Sequence, residues 1–348
     1  MSATPPKSAS AVNTQLDIRP DWLARVTEPI LDPEVPIVDA HHHLWDAPGR
    51  RYLFDEYLSD LSSGHNIVAT VFVQCHSMYR AFGPEELRPI GETEFVAGAA
   101  ARSESGQYGP TRMCAAIVGS LDATLGDRAE AVLEAHIRAG GGRFRGIRLR
   151  TSWDASDDVH KLPTPPGVLK DPRTRATIAQ IQKAGLTLDI WCFHSQMDEV
   201  LEVCRAFPDL TIIVNHVAGP IGIGPYRGRR EEIFATWSAS VRELARLPNT
   251  VMKLGGVGMR FTGNDFHLQA DPPSSDRLVE VCKPYVQLCI DSFGPSRCMF
   301  ESNFPVDKAM FSYPVMWNAF KKIAAPYSAE ERASMLAGTA ARTYRIAL

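Results

Sequence analysis

The chain has 348 residues, 45% of them hydrophobic, with 37 Lys and Arg against 40 Asp and Glu. That length suffices for one large domain or for two smaller ones, and a net charge of −3 gives no basic surface for a nucleic-acid or membrane-surface partner. The seven cysteines are scattered, odd in number and show no Cys-x-x-Cys, which argues against a disulfide frame or zinc knuckle and for reduced thiols in the cytoplasm.

Residues 1–13 are rich in Ser, Ala and Pro and lack an apolar stretch. They read as a disordered tail, not a signal peptide, and residues 14–348 as a single domain. No apolar run approaches the roughly 20 residues of a membrane span. Apolar, β-rich runs recur at 37–43, 67–74, 113–119, 144–149, 187–194, 211–216, 250–254 and 298–303. Helix-like stretches lie between them. Residues 129–138 stop at Gly140-Gly141-Gly142 and 174–183 at Gly185, both C-terminal stop signals. Residues 197–206 and 231–247 end before Pro208 and Pro248. A last amphipathic helix, 328–344, opens on Ser328 with Glu331 three residues on, the pattern of a capping box.

Eight strands alternating with helices predict a (β/α)8 barrel; a doubly wound sheet is the alternative. A barrel carries its chemistry at the C-terminal strand ends. His41, His43, Gln74, Arg148, Arg150, His194, His216 and Asn303 all fall there. Three long connections, 76–112, 151–171 and 219–230, leave those same ends, and the first has the length of a lid or an oligomer contact.

Alternation along a strand puts His41 and His43 on one face and His42 on the other. Two imidazoles on one face are able to share a divalent metal, and His194 and His216 end two further strands. The run Asp39-Ala40-His41-His42-His43-Leu44-Trp45-Asp46 resembles the amidohydrolase superfamily, as do Asn215-His216-Val217-Ala218-Gly219 and Phe300-Glu301-Ser302-Asn303-Phe304-Pro305-Val306-Asp307. The branch it is most similar to contains sugar-lactone and pyrone-dicarboxylate lactonases. The resemblance runs from about Pro36 to the end and implies a small-molecule substrate. It implies a divalent metal, zinc or manganese, with His41, His43 and His194 as ligands. His216 would be a further ligand or would stabilise the transition state.

One departure from the family pattern concerns the eighth strand, which in the family ends Gly-Ser-Asp-Trp-Pro with the Asp as general base. Here Asn303 stands in that place, and an amide neither takes a proton from water nor holds a metal well. Metal occupancy is therefore expected to be partial. Three readings stay open. Glu301, of the same parity and one layer deeper, supplies the carboxylate; Asp307 reaches back from the loop; or hydrolysis has been lost. Burial would raise the pKa of Glu301.

Arg148 and Arg150 share a face and suit an anionic group, with a salt bridge from Arg148 to a loop acid such as Asp154 as the alternative. Gln74, Lys253 and Trp45 join them as candidate substrate contacts, and Trp153, Trp191 and Phe304 are placed to wall the site. The run 219–225 lacks the Gly-x-Gly-x-x-Gly register and reads as a loop. No Gly-x-Ser-x-Gly elbow is present, against a serine hydrolase. The expected activity is hydrolysis of a small anionic lactone or a related C–O or C–N bond. Non-oxidative decarboxylation and a catalytically silent binding barrel are the rivals.

Overall fold

The computed structural model describes residues 16–47, 50–159 and 164–348, so the expected tail 1–13 lies outside the described residues. A turn of helix, α1 (Pro20–Leu23), precedes β1 (Ile37–His42). A ribbon of β2 (Trp45–Ala47) and β3 (Arg50–Tyr52), then α2 (Phe54–Leu61), lead into β4 (Ile67–Val73) and α3 (Ile90–Glu104). Strand and helix then alternate through β5 (Arg112–Gly119), α4 (Ala129–Ala139), β6 (Phe144–Arg150), α5 (Pro172–Lys183), β7 (Thr187–Trp191) and α6 (Met197–Ala206). They continue through β8 (Ile212–Val214), α7 (Arg230–Ala245), β9 (Thr250–Leu254), α8 (Ser275–Phe293) and β10 (Cys298–Phe300). Three helices close the chain: α9 (Tyr313–Ala324), α10 (Ala329–Ala333) and α11 (Thr339–Tyr344).

The main sheet is parallel, in the order β1-β4-β5-β6-β7-β8-β9-β10. It returns on itself past the end of β10, where Asn303 N–H donates to His41 O and His43 N–H to Phe304 O, both at 2.8 Å. This is the (β/α)8 barrel, not the doubly wound sheet. Asp39 ties the same seam: its carboxylate accepts from Ser302 N at 2.8 Å, Tyr57 OH at 2.7 Å and Tyr313 OH at 3.0 Å.

Parity sorts the strand residues. Val38, Val71, Val118, Ile213, Val251 and Met299 pack together in the lumen with Tyr344 and Ile346 of the C-terminal segment. Their strand neighbours Phe72, Ile117, Leu188, Ile190, Met252, Leu254 and Phe300 join the helices in the outer core. Strict alternation would send His41 outward with Asp39. A bulge prevents it, since Asp39 pairs with Thr70 but His42 with Phe72, three steps on β1 against two on β4. The extra residue turns His41 into the lumen, and His42 outward against Tyr57, ring centroids 4.1 Å apart.

The predicted helices are present with shifts of a few residues at their ends. The last one is interrupted by a π turn, Ser334–Gly338, between α10 and α11, and its capping box forms as expected. Helices α1, α2, α8 and α9 were not read from the sequence. α8 has Pro284 in its interior, and α9 is buried on nearly every side, which leaves it no polar stripe. Among the described residues no helix is long and apolar enough to cross a membrane.

Candidate active site

Four side chains meet where the lumen opens: His41, His216, Glu301 and Arg148, all buried. Glu301 Oε1 accepts from His216 Nδ1–H at 2.6 Å and from the His216 backbone N–H at 3.2 Å. Its Oε2 lies 2.9 Å from His41 Nδ1 but is not aligned for a hydrogen bond. Arg148 Nη1 stands 3.2 Å from His41 Nε2. Burial pushes Glu301 up to about 8, with Lys253 pulling the other way and Asp189 adding to the rise. Burial holds both His41 and His216 well below the usual imidazole range; Lys253 reinforces this chiefly at His41, and Arg148 at His216.

The backbone that presents His216 is unusual. His216, Val217, Ala218 and Gly219 all have positive φ, 55°, 46°, 57° and 53°, a region that side chains other than glycine's enter at a cost. Gly256 makes room for the ring: a Cβ there would lie 2.6 Å from His216 Cβ, Cγ and Nδ1. Trp191 packs its edge on the other side, centroids 4.7 Å apart. Val159, Phe193, Ile221, Ile223 and Phe261 extend that apolar wall around Trp191.

Beneath the site lies a buried ion pair, Lys253 Nζ to Asp189 Oδ1 at 2.9 Å. Asp189 also accepts from Asn215 Nδ2 at 2.9 Å and Tyr344 OH at 3.0 Å. Lys253 is therefore not the free anion partner expected from sequence: it is wholly buried and already paired. Arg148 is likewise committed. It donates from Nε to Gln74 Oε1 at 3.2 Å and from Nη2 to the Gln74 carbonyl, so Gln74 is spent as well. Asp154 takes Tyr226 OH at 2.6 Å, not Arg148. Arg150, one strand step further out, is half-buried. Its carbonyl accepts from Thr164 Oγ1 at 2.9 Å, but among the described residues its guanidinium has no hydrogen bond or ion pair.

The remaining candidates separate. His43 Nδ1 is 2.7 Å from the Val73 carbonyl and its ring stacks on the half-buried Trp45, centroids 5.7 Å apart. His43 touches His41 edge-on at 4.8 Å. His194 Nδ1 accepts from Ile221 N–H at 3.3 Å and its ring meets Tyr226; among the described residues no hydrogen bond or ring contact joins it to His41 or His216. Asn303 Nδ2 donates to Asp307 Oδ1 at 2.8 Å, while Asp307 Oδ2 accepts from Gly258 N–H at 2.9 Å. Burial pushes Asp307 up to about 8. Asp189, Tyr344 and Asp39 were not singled out from sequence. A lone carboxylate inside the apolar run 187–193 was the available signal for Asp189.

A metal would find its donors in a different trio from the one expected. Ligand atoms of His41, His216 and Glu301 lie within 4.8 Å of one another, and two imidazoles with a carboxylate are a donor set that suits a divalent ion. His43 and His194 are outside that trio.

The amidohydrolase family profile matches residues 38–346. An uncharacterized Sinorhizobium fredii protein, y4mH, is 31% identical over 335 residues, covering 90% of this chain and 99% of its own. An L-fucono-1,5-lactonase of Burkholderia multivorans is 27% identical over 322 residues, covering 89% of this chain and 96% of its own. Among solved structures, an amidohydrolase from Burkholderia multivorans with bound zinc is similar at a TM-score of 0.68 and 25% identity, over 90% of this chain and 100% of its own. A profile that runs from the second residue of β1 past the end of α11 covers every strand whose end supplies the site, and on that match the chain belongs to the amidohydrolase family and is one of its hydrolytic enzymes.

Proposed function

We propose that the protein opens a small lactone bearing an anionic group, with His216 as the base that activates water. One observation carries the reading: the 2.6 Å contact between Glu301 Oε1 and His216 Nδ1 in a buried site. Burial keeps His216 neutral. Above about pH 8, where Glu301 is ionised, a neutral imidazole whose Nδ1–H is held by a carboxylate has Nε2 free to take a proton from water. Glu301 then stabilises the imidazolium that forms, and the same proton is available to the departing ring oxygen. Arg148 sets positive charge beside the reacting centre, where the carbonyl oxygen turns anionic. A divalent cation, where bound, would be held by His41, His216 and Glu301 and would supply Lewis-acid polarisation of the carbonyl, with His216 then a ligand and not the base.

Of the two carboxylates weighed for the missing Asp, Glu301 is preferred because both oxygens of Asp307 are engaged, by Gly258 and Asn303. Asn303 serves to hold Asp307. The anion-binding role passes from Arg148 to Arg150, whose fork is uncommitted. The similarity to an L-fucono-1,5-lactonase supports a lactone ring as the bond opened.

The test is a panel of aldonolactones, with and without a carboxylate substituent, followed by proton release and by product mass. Ring-opened hydroxy acid, with faster turnover of the carboxylated members, is expected. Release of CO2 without ring opening would make the protein a decarboxylase, and tight binding without turnover a silent barrel.

A further inference from the structure

We infer that Lys253 is a built-in competitor for any divalent ion at His41, so that metal enters this site only when the Lys253–His41 contact breaks. The inference rests on the fit of the trio to a metal and not on lactone chemistry, so the lactone assays can fail without touching it.

Both ring nitrogens of His41 already face a protein cation. Lys253 Nζ lies 3.3 Å from Nδ1, and Arg148 Nη1 lies 3.2 Å from Nε2. Glu301 Oε2 lies 2.9 Å from Nδ1, so a metal shared between His41 and Glu301 takes Nδ1, where the ammonium stands. A zinc ion sits about 2.0–2.1 Å from its ligand nitrogen, which is inside the 3.3 Å gap to Nζ. Ion and ammonium contend for one volume, and two like charges do not share it.

Lys253 is also poorly placed to swing away. Its side chain is wholly buried and held at 2.9 Å by Asp189. Its Nζ lies over the Tyr344 ring, 5.2 Å from the centroid. Asp189 is itself pinned by Asn215 and Tyr344. The rest of the trio is closed as well. His216 Nδ1 and Glu301 Oε1 are 2.6 Å apart, whereas two donors on one tetrahedral zinc ion stand about 3.3 Å apart by its bond lengths and angles. A metal that took His216 Nδ1 and Glu301 Oε1 would therefore part that pair as well as displace a buried cation. Arg148 contends in the same way but is held by Gln74. Lys253 is the sharper probe, because its partner Asp189 can be neutralised with it.

The experiment measures zinc affinity directly, by competition with a chromogenic chelator, on full-length protein stripped of metal. Lys253→Met alone leaves Asp189 buried and unpaired and risks misfolding. The double variant Lys253→Met/Asp189→Asn removes both charges and keeps the volume. The double variant should bind one equivalent of zinc at least about tenfold more tightly than wild type. Affinities equal within about twofold would overturn the inference. So would wild-type protein that keeps a full equivalent of zinc through dialysis against chelator. A zinc-soaked wild-type crystal gives a second readout. The ion at His41 with Lys253 Nζ withdrawn from Nδ1 supports the competition; the ion bound with that contact intact refutes it.

Discussion

Glu301→Gln tests the proposed mechanism most directly. The amide keeps the shape of the side chain, and its oxygen can still accept from His216 Nδ1–H and backbone N–H. What it loses is the negative charge that meets the imidazolium in the transition state. Oε1 lies 2.6 Å from Nδ1; with charge centres about 4 Å apart and an effective dielectric near 20, that interaction is worth about 4 kcal/mol. Charged hydrogen bonds measured by mutation give the lower figure of about 1.5–3 kcal/mol. At about 1.36 kcal/mol per decade, a loss of about 2–4 kcal/mol lowers kcat by roughly 30- to 1,000-fold. KM should change little, because the charge acts on the transition state and not on bound substrate. Initial rates of lactone opening, read with a pH indicator, provide the measurement. Near-UV circular dichroism and a thermal melt establish that the fold is kept. A folded Glu301→Gln protein within about threefold of wild-type kcat would remove Glu301 from the mechanism.

Four further outcomes follow from particular contacts. Arg150→Gln should raise KM for carboxylated lactones by about 1.5–3 kcal/mol, the range for a charged hydrogen bond, and leave neutral lactones unaffected; equal effects on both would make Arg150 structural. Glu92 is fully buried and burial lifts it from 4.5 to about 7, so the folded state holds a proton that the unfolded chain releases. Stability should fall as pH rises between these two values, and Glu92→Gln should abolish a fall of about 3 kcal/mol, seen in melts across that range. Asn303→Asp replaces a 2.8 Å hydrogen bond to Asp307 with two facing carboxylates, and should lower stability in chelator by about 1–3 kcal/mol; an unchanged melt would mean the pair is not closed in solution. Gly256→Ala puts a methyl group 2.6 Å from the His216 ring at φ +67°, and should lower kcat together with about 1–3 kcal/mol of stability, measured by kinetics and melting.

The barrel was legible because each of its strands is an apolar run bounded by polar residues, and because eight of them alternate with helical stretches. The strand ends were legible for the same reason, since a polar residue closing an apolar run stands out. Which end residues meet was not legible. His41, His43, His194 and His216 look equivalent along the chain, yet only His41 and His216 reach Glu301. The difference lies in local backbone. The bulge in β1 turns His41 inward, the left-handed turn at 216–219 aims His216, and the Ile221 amide occupies His194 Nδ1. None of these has a periodicity. The commitments of Arg148 and Lys253 were hidden too, because their partners Gln74 and Asp189 lie on strands 74 and 64 residues away.

The substitution at Asn303 and the carboxylate at Glu301 form one change when the charges are counted. Moving a carboxylate from position 303 to 301 brings it two residues nearer the end of β10 (Cys298–Phe300). That step brings it level with the lumen cations. Lys253 is balanced by Asp189 at 2.9 Å. Among the described residues Arg148 has no carboxylate of its own, and Glu301 is the acid on the far side of the His41 ring that separates them. Above about pH 8, where Glu301 is ionised, two buried cations face two buried carboxylates and the centre is neutral without an added ion. A carboxylate at 303 would instead face Asp307 across 2.8 Å, where burial already lifts Asp307 to about 8 and no buried cation is bonded to it. Removing charge at 303 and supplying it at 301 thus serves the same end, a lumen whose charges are matched by its own side chains.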